Sequence, residues 1–347
     1  MSGMADILGH HAATTRLWEA LARDALHHAY LFEGPEGVGK HTVALRLAMA
    51  ANCTGEADPP PCGTCPPCQQ IRAGNHPDIL VLEPAADRAT PIISVDQVRE
   101  VVRIAGYHRY GARRRFILID PAEAMLDAAA NALLKTLEEP LAGTGFILVA
   151  THASALLPTV RSRCQRIRFS AVPEEALQAW LEDRGIQEAG IVARASLGCP
   201  GRALSLADGQ LQARHLLRDR LLAVLDGDIG DIFAWSVELC SGKRQQWRPR
   251  VAEVLDIIDD LLRDAVVYAG GGSAPLLNAD APEVVAMWAQ LWPDGVTRCG
   301  EAVAEAREQI ERNVAGRTLM DALLSRVAKE LGTTPEARLR RLGPDRA

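Results

Sequence analysis

Four cysteines crowd into sixteen residues as Cys53-x₈-Cys62-x₂-Cys65-x₂-Cys68, inside "CTGEADPPPCGTCPPCQQ". Thiolates at that spacing, with Pro and Gly folding the chain between them, suit a closed tetrahedral Zn²⁺ site with a structural role, because no ligand position stays open. An iron–sulfur centre is the competing reading, since C-x₂-C-x₂-C also occurs in ferredoxins. There the fourth Cys lies downstream and is followed by Pro; here it lies upstream, and Gln69 follows Cys68. Zinc is therefore favoured.

A second group could handle phosphate. "LFEGPEGVGKHT" (31–42) carries Gly34, Gly37, Gly39 and Lys40 in the order of a phosphate-binding loop, set between an apolar run and a helical pattern. Backbone N–H groups and a helix N-terminus then face the anion while Lys40 adds a point charge. The next position normally offers Mg²⁺ a hydroxyl, but it holds His41; Mg²⁺ prefers oxygen to imidazole, and Thr42 is one residue out of register. Asp120 ends the run "RFILID", where a carboxylate can reach Mg²⁺ through water. Hydrolysing ATPases usually place a Glu next; here Pro121 follows, and Glu123, three positions on, is expected to point elsewhere. Two catalytic positions altered in different motifs imply weak or absent hydrolysis.

"TVRSRCQRIRF" holds Arg161, Arg163, Arg166 and Arg168. Arg163 reads either as part of a solvated basic run or as an arginine finger serving a phosphate on a neighbouring subunit. Cys164 reads as a small apolar residue rather than a nucleophile, and the nine histidines show neither metal nor triad spacing.

Something must hold these groups. Short apolar runs at 29–33, 78–84, 115–120, 145–151 and 165–169 alternate with helical patterns, which predicts an α/β fold with a parallel sheet covered on both faces. Beyond Ser170 the strand signals stop. Short helices to about residue 208 form a small helical domain, and longer amphipathic patterns over 209–333, including one continuous pattern at 300–331, form an all-helical domain. "GGGSAP" (270–275) reads as a flexible connection and 334–347 as a flexible tail. At 347 residues two or three domains are expected, since single cores stop growing near roughly 250–300 residues. A net charge of −6 argues against a protein that grips nucleic acid over a wide face. No run of 18 apolar residues occurs and the N-terminus lacks a positive stretch before an apolar core, so a cytoplasmic protein is expected.

"HHAYLFEGPEGVGK", the four-cysteine insert, "LDAAANALLKTLEEP" and "LLPTVRSRC" occur in this order. In these stretches the chain resembles the AAA+ clamp-loader subunits of bacterial DNA polymerase III, strongly over 6–170, less through "SLGCPGRALSL", and only in architecture beyond. The resemblance implies an ATPase-like α/β module (1–170), a helical lid (171–208) and a helical collar (209–333) that joins δ and γ/τ subunits in a five-membered ring. That ring opens a sliding clamp and places it on primer-template DNA. It further implies that Gly34, Gly37, Gly39 and Lys40 form the phosphate loop, Asp120 the magnesium-site acid, Thr151 the polar sensor after the fourth strand, and Arg202 the lid arginine that senses nucleotide. Cys53, Cys62, Cys65 and Cys68 match the zinc module, and Arg163 matches the finger offered to the adjacent γ subunit's ATP.

His41 and Pro121 set the chain apart from the γ/τ motors, which resemble "GxxGxGKT" followed by "DEVH", and the long Pro-rich extensions of τ-type chains are missing. The implied role is that of a δ′-type stator, which binds ATP with Mg²⁺ weakly if at all. An active γ/τ-type ATPase is the alternative. A third candidate, DNA binding through the cysteine loop, is weak because that loop has no Lys or Arg.

Overall fold

The computed structural model of the chain describes residues 7–84, 92–139, 142–272, 274–311 and 314–332. It divides into two compact units between Ser205 and Leu206. The expected tail at 334–347 and Ser273 of the expected flexible connection lie outside the described residues.

In the first unit, β1 (Ala29–Glu33), β2 (Ile79–Leu82), β3 (Arg115–Ile119), β4 (Thr144–Ala150) and β5 (Gln165–Arg168) form one sheet in the order β2-β3-β4-β1-β5. Every pairing is parallel, with Ala29 opposite Phe146 and Arg115 opposite Thr144. The three inner strands are buried throughout, as apolar runs covered on both sides must be. Alternation along them sorts the two faces. Tyr30, Phe32, Phe116, Leu118, Ile147 and Val149 pack with α1 (His11–Ala22) and α2 (Lys40–Asn52) through Leu17, Trp18, Val43 and Leu47. Leu31, Ile117, Ile119, Phe146 and Leu148 pack on the other side with Val98, Leu133 and Leu137. Those last residues belong to α4 (Val95–Ala105) and α5 (Asp127–Glu138); α3 (Pro66–Arg72) lies within the cysteine segment. Because all strands run the same way, the residues following β1, β3 and β4 emerge together at one sheet edge. The first unit continues with α6 (Pro158–Arg161), α7 (Glu174–Glu182), α8 (Ala189–Ala195) and α9 (Pro200–Ser205).

A buried ion pair locks β2 to β3. Asp78 is fully buried and Arg115 nearly so. Asp78 accepts from Arg115 Nε at 3.0 Å and Nη2 at 2.5 Å, and from the backbone N–H groups of Tyr110, Gly111 and Ala112. Arg115 in turn donates to the carbonyls of Ile104, Ala105, Tyr107 and His108, so both charges are saturated. Removing one partner strands the other without compensation. Asp78→Ala is expected to lower the unfolding free energy by about 3–5 kcal/mol, read from the urea midpoint at unchanged slope; a loss below about 1 kcal/mol would refute this role.

The second unit is all-helical: α10 (Leu211–Asp226), α11 (Ile229–Leu239), α12 (Arg244–Ala269), α13 (Pro282–Ala289), α14 (Asp294–Glu311) and α15 (Gly316–Leu331). Val251, Val254, Leu255, Ile258 and Leu261 of α12 share a core with Trp288, Val303, Leu324 and Val327. The pattern expected to run unbroken over 300–331 is two helices. Gly316 opens the second, and a Cβ there would lie 2.8 Å from the Trp247 ring, so the start of that helix packs closely against Trp247. No described helix is long and apolar enough to cross a membrane.

Candidate functional site

The loop after β1 takes its shape for steric reasons. Gly34 has φ +154°, and a Cβ there would stand 2.2 Å from the Phe169 carbonyl oxygen. Gly37 has φ +72°, and its Cβ would meet the Arg202 backbone nitrogen at 3.0 Å. Both positions need glycine. The Gly37 carbonyl accepts from Gly201 N–H at 2.8 Å, so the start of α9 rests on the loop and brings Arg202 beside it. Gly39 caps α2 without a side chain, leaving the first-turn N–H groups with no intrahelical acceptor. Lys40 is buried, and its Nζ donates to the Gly34 and Pro35 carbonyls at 2.5 and 2.7 Å. Burial lowers its pKa, and the nearby carboxylates of Asp120, Glu123 and Glu36 oppose that.

At the same edge, His41 Nδ1 lies 2.7 Å from Asp120 Oδ2. This hydrogen bond and the charge of Asp120 raise the imidazole pKa against the effect of burial. Glu123 corrects an expectation. A short 3₁₀ turn, Ala122–Ala124, swings it back toward the site, where its Oε1 accepts from Thr151 N at 2.9 Å and Thr151 Oγ1 at 2.8 Å. Its Oε2 is buried without a hydrogen-bond partner.

These groups border a cavity of about 580 Å³. Gly37, Gly39, Lys40, Asp120 and Thr151 line it, joined by His41 and Glu123. Gly34 and Arg202 do not line it; they shape the loop from behind. Ile7, Leu8, Trp180 and Leu204 give the cavity an apolar wall that no motif had signalled. Trp180 stands in "EEALQAWLE" among Ala176, Leu177, Ala179 and Leu181, which look like ordinary helix core.

The cysteines converge. All four Sγ atoms lie within 4.8 Å of one another and could hold a metal ion. Cys53 ends α2, Cys65 caps α3 and Cys68 sits in its first turn, buried. Cys62 N–H donates to Cys53 Sγ and Cys65 N–H to Cys62 Sγ, each at 3.3 Å, as suits thiolate acceptors. Burial opposes ionisation of Cys65, but hydrogen bonds from Thr54 and Cys68 bring its pKa down to about 5. Trp18 Nε1 donates to the Pro60 carbonyl at 2.6 Å, pinning the loop to α1.

Arg163 follows α6 and does not line the cavity. It donates to the Thr159 carbonyl at 2.8 Å and pairs with Glu138 at the end of α5. Its neighbours Arg166 and Arg168 are not a merely solvated run: both bond the buried Glu33 carboxylate, at 2.7 and 2.6 Å. Burial raises the pKa of Glu33, but the two guanidinium groups hold it below the usual carboxylate range. Cys164 packs beside the α5 core, where burial pushes its thiol up to about 12, which suits an inert residue.

Residues 9–173 match the family model described as "DNA polymerase III, delta subunit". The chain is 45% identical over 162 residues to DNA polymerase III subunit delta' of Pseudomonas aeruginosa, a match spanning 46% of this chain and about half (48%) of that relative. It is 34% identical to DNA polymerase III subunit tau of Salmonella typhimurium, over 65% of this chain but 34% of tau. With subunit delta' of Escherichia coli K12 it shares 34% identity over 290 residues, covering 82% of this chain and 83% of that one. A parallel α/β module followed by helices, and a match that runs through most of a delta' chain, lead to one assignment: this chain belongs to the DNA polymerase III subunit delta' family.

Proposed function

We propose that this chain is the stator of a clamp-loader ring. Its α/β module (1–170), lid (171–208) and collar (209–333) pack with δ and γ/τ subunits. The assembled ring opens a sliding clamp and loads it on primer-template DNA in the cytoplasm, at the replisome. One observation carries this reading: Arg163 stands outside the chain's own cavity, partly exposed and held by Glu138, where it can serve a phosphate bound by a neighbour. The cavity binds nucleotide weakly through Gly34, Gly37, Gly39, Lys40 and Thr151, with Arg202 reporting from the lid. The cysteines hold Zn²⁺. Zn–S bonds of about 2.3 Å set tetrahedral sulfurs about 3.8 Å apart, and Cys53 and Cys65 Sγ stand 3.9 Å apart.

The rival reading, an active γ/τ-type ATPase, gains support from Glu123 at the cavity wall. It loses more from His41, which occupies the acid a magnesium ion would use. Size-exclusion chromatography of the chain with δ and γ/τ tests assembly. Stoichiometric co-elution is expected, with clamp loading lost when the chain is omitted. Loading at full rate without it would defeat the proposal.

A further inference from the structure

The family implies a magnesium ion beside the nucleotide phosphates, and the residues present do not fit one. The helix position after Lys40 offers an imidazole where a hydroxyl is needed, and hard Mg²⁺ selects oxygen. The acid that should face the ion is engaged: Asp120 Oδ2 is 2.7 Å from His41 Nδ1, with only 23% of the Asp120 side chain exposed. The second nearby acid, Glu123, is turned onto Thr151 N and Oγ1. Thr42 borders the cavity about 100° further round α2 than His41, so its hydroxyl does not replace the missing one. Meanwhile the anion-binding parts are intact: two conformationally required glycines, an uncapped helix start and Lys40.

We infer that this cavity takes a nucleoside di- or triphosphate as the free anion, without a divalent cation, because the His41–Asp120 pair fills the cation's position. The inference rests on the reading of the cavity as a nucleotide site. The loop N–H groups and Lys40 then carry the whole phosphate charge, and the apolar wall of Ile7, Leu8, Trp180 and Leu204 takes the base. The same geometry explains a site that binds and does not turn over, since no cation stands with Lys40 and the loop N–H groups to neutralise charge developing on the leaving phosphate.

The test is calorimetric titration of the full chain with ADP and with ATP, in excess Mg²⁺ and in EDTA. Equal affinity within about twofold is expected for both buffers. His41→Thr, with His41→Ser as a second variant should the first fold poorly, is expected to acquire Mg²⁺ dependence of about tenfold, within the usual range of coupling between two ligands. Tighter binding to the unaltered chain by tenfold or more in Mg²⁺ would overturn the inference and leave the nucleotide site standing. Folded His41 variants that stay indifferent to Mg²⁺ would overturn the role given to His41. No binding in either buffer would remove the nucleotide site itself.

Discussion

In a reconstituted clamp loader, Arg163→Ala is expected to slow ATP turnover at the adjoining subunit's site by about 10³-fold, the low end for arginine fingers. The guanidinium sits just past α6, is about one-third exposed, and is steadied by the Thr159 carbonyl and Glu138. A neighbour's phosphate need only displace Glu138 from one edge of the guanidinium. Because the Arg163–Glu138 pair is solvated, its loss costs the fold only about 0–1 kcal/mol, so the isolated variant should melt like the parent and assemble normally. Arg163→Lys should rescue little, since an ammonium cannot reproduce the planar bidentate fork. Total turnover falls only by the share of one site unless the sites fire in sequence. DNA-stimulated ATPase and clamp loading, measured on the same assembled ring, separate those cases. Unchanged turnover in a ring shown to contain Arg163→Ala would end the finger assignment.

The sheet was legible because its inner strands are short apolar runs buried on two faces; four strands lie within the expected stretches and β4 starts one residue early, at Thr144. The glycines of the loop after β1 were legible because Gly34 and Gly37 are demanded by contacts so close that no other residue fits. What escaped depended on where a turn sends a side chain. Glu123 lies three residues beyond Asp120, and nothing in its spacing says that a 3₁₀ turn returns it to Thr151. The apolar wall escaped because Trp180 and Leu204 look like helix core until α7 and α9 are placed near the loop. Arg166 and Arg168 were readable as charges but not as partners of Glu33, which lies on the adjacent strand yet more than 130 residues away in sequence. The second unit gave up its helices but not all their ends. One helix ends at Glu311 and the next starts at Gly316, which packs on Trp247, 69 positions upstream. Cys65 and Cys68 were read as ligands while the α3 turn that carries them was not.

Metal removal is the other change with a large expected effect. The parent chain should carry one zinc ion by elemental analysis, and Cys65→Ser should carry none, because three remaining thiolates leave a closed four-coordinate site one donor short. In zinc-finger peptides the ion supplies about 10–16 kcal/mol, but this segment does not depend on the ion alone. Cys68 and Ile71 pack into the same core as Leu47, and Trp18 holds the Pro60 carbonyl. The variant should therefore keep its sheet while losing at least ~3 kcal/mol, a fall of roughly 6–12 °C in melting temperature for a unit of this size. New proteolytic cuts should fall between the end of α2 and the end of α3. Cys164→Ser, outside the cluster, should leave the zinc content at one. Turnover at the neighbour's ATP site should persist in any variant that still assembles, since none of the four clustered cysteines lines the cavity or bonds Arg163. A parent chain purified with iron and inorganic sulfide would return the assignment to an iron–sulfur centre, and a metal-free parent with unchanged melting in EDTA would end it altogether.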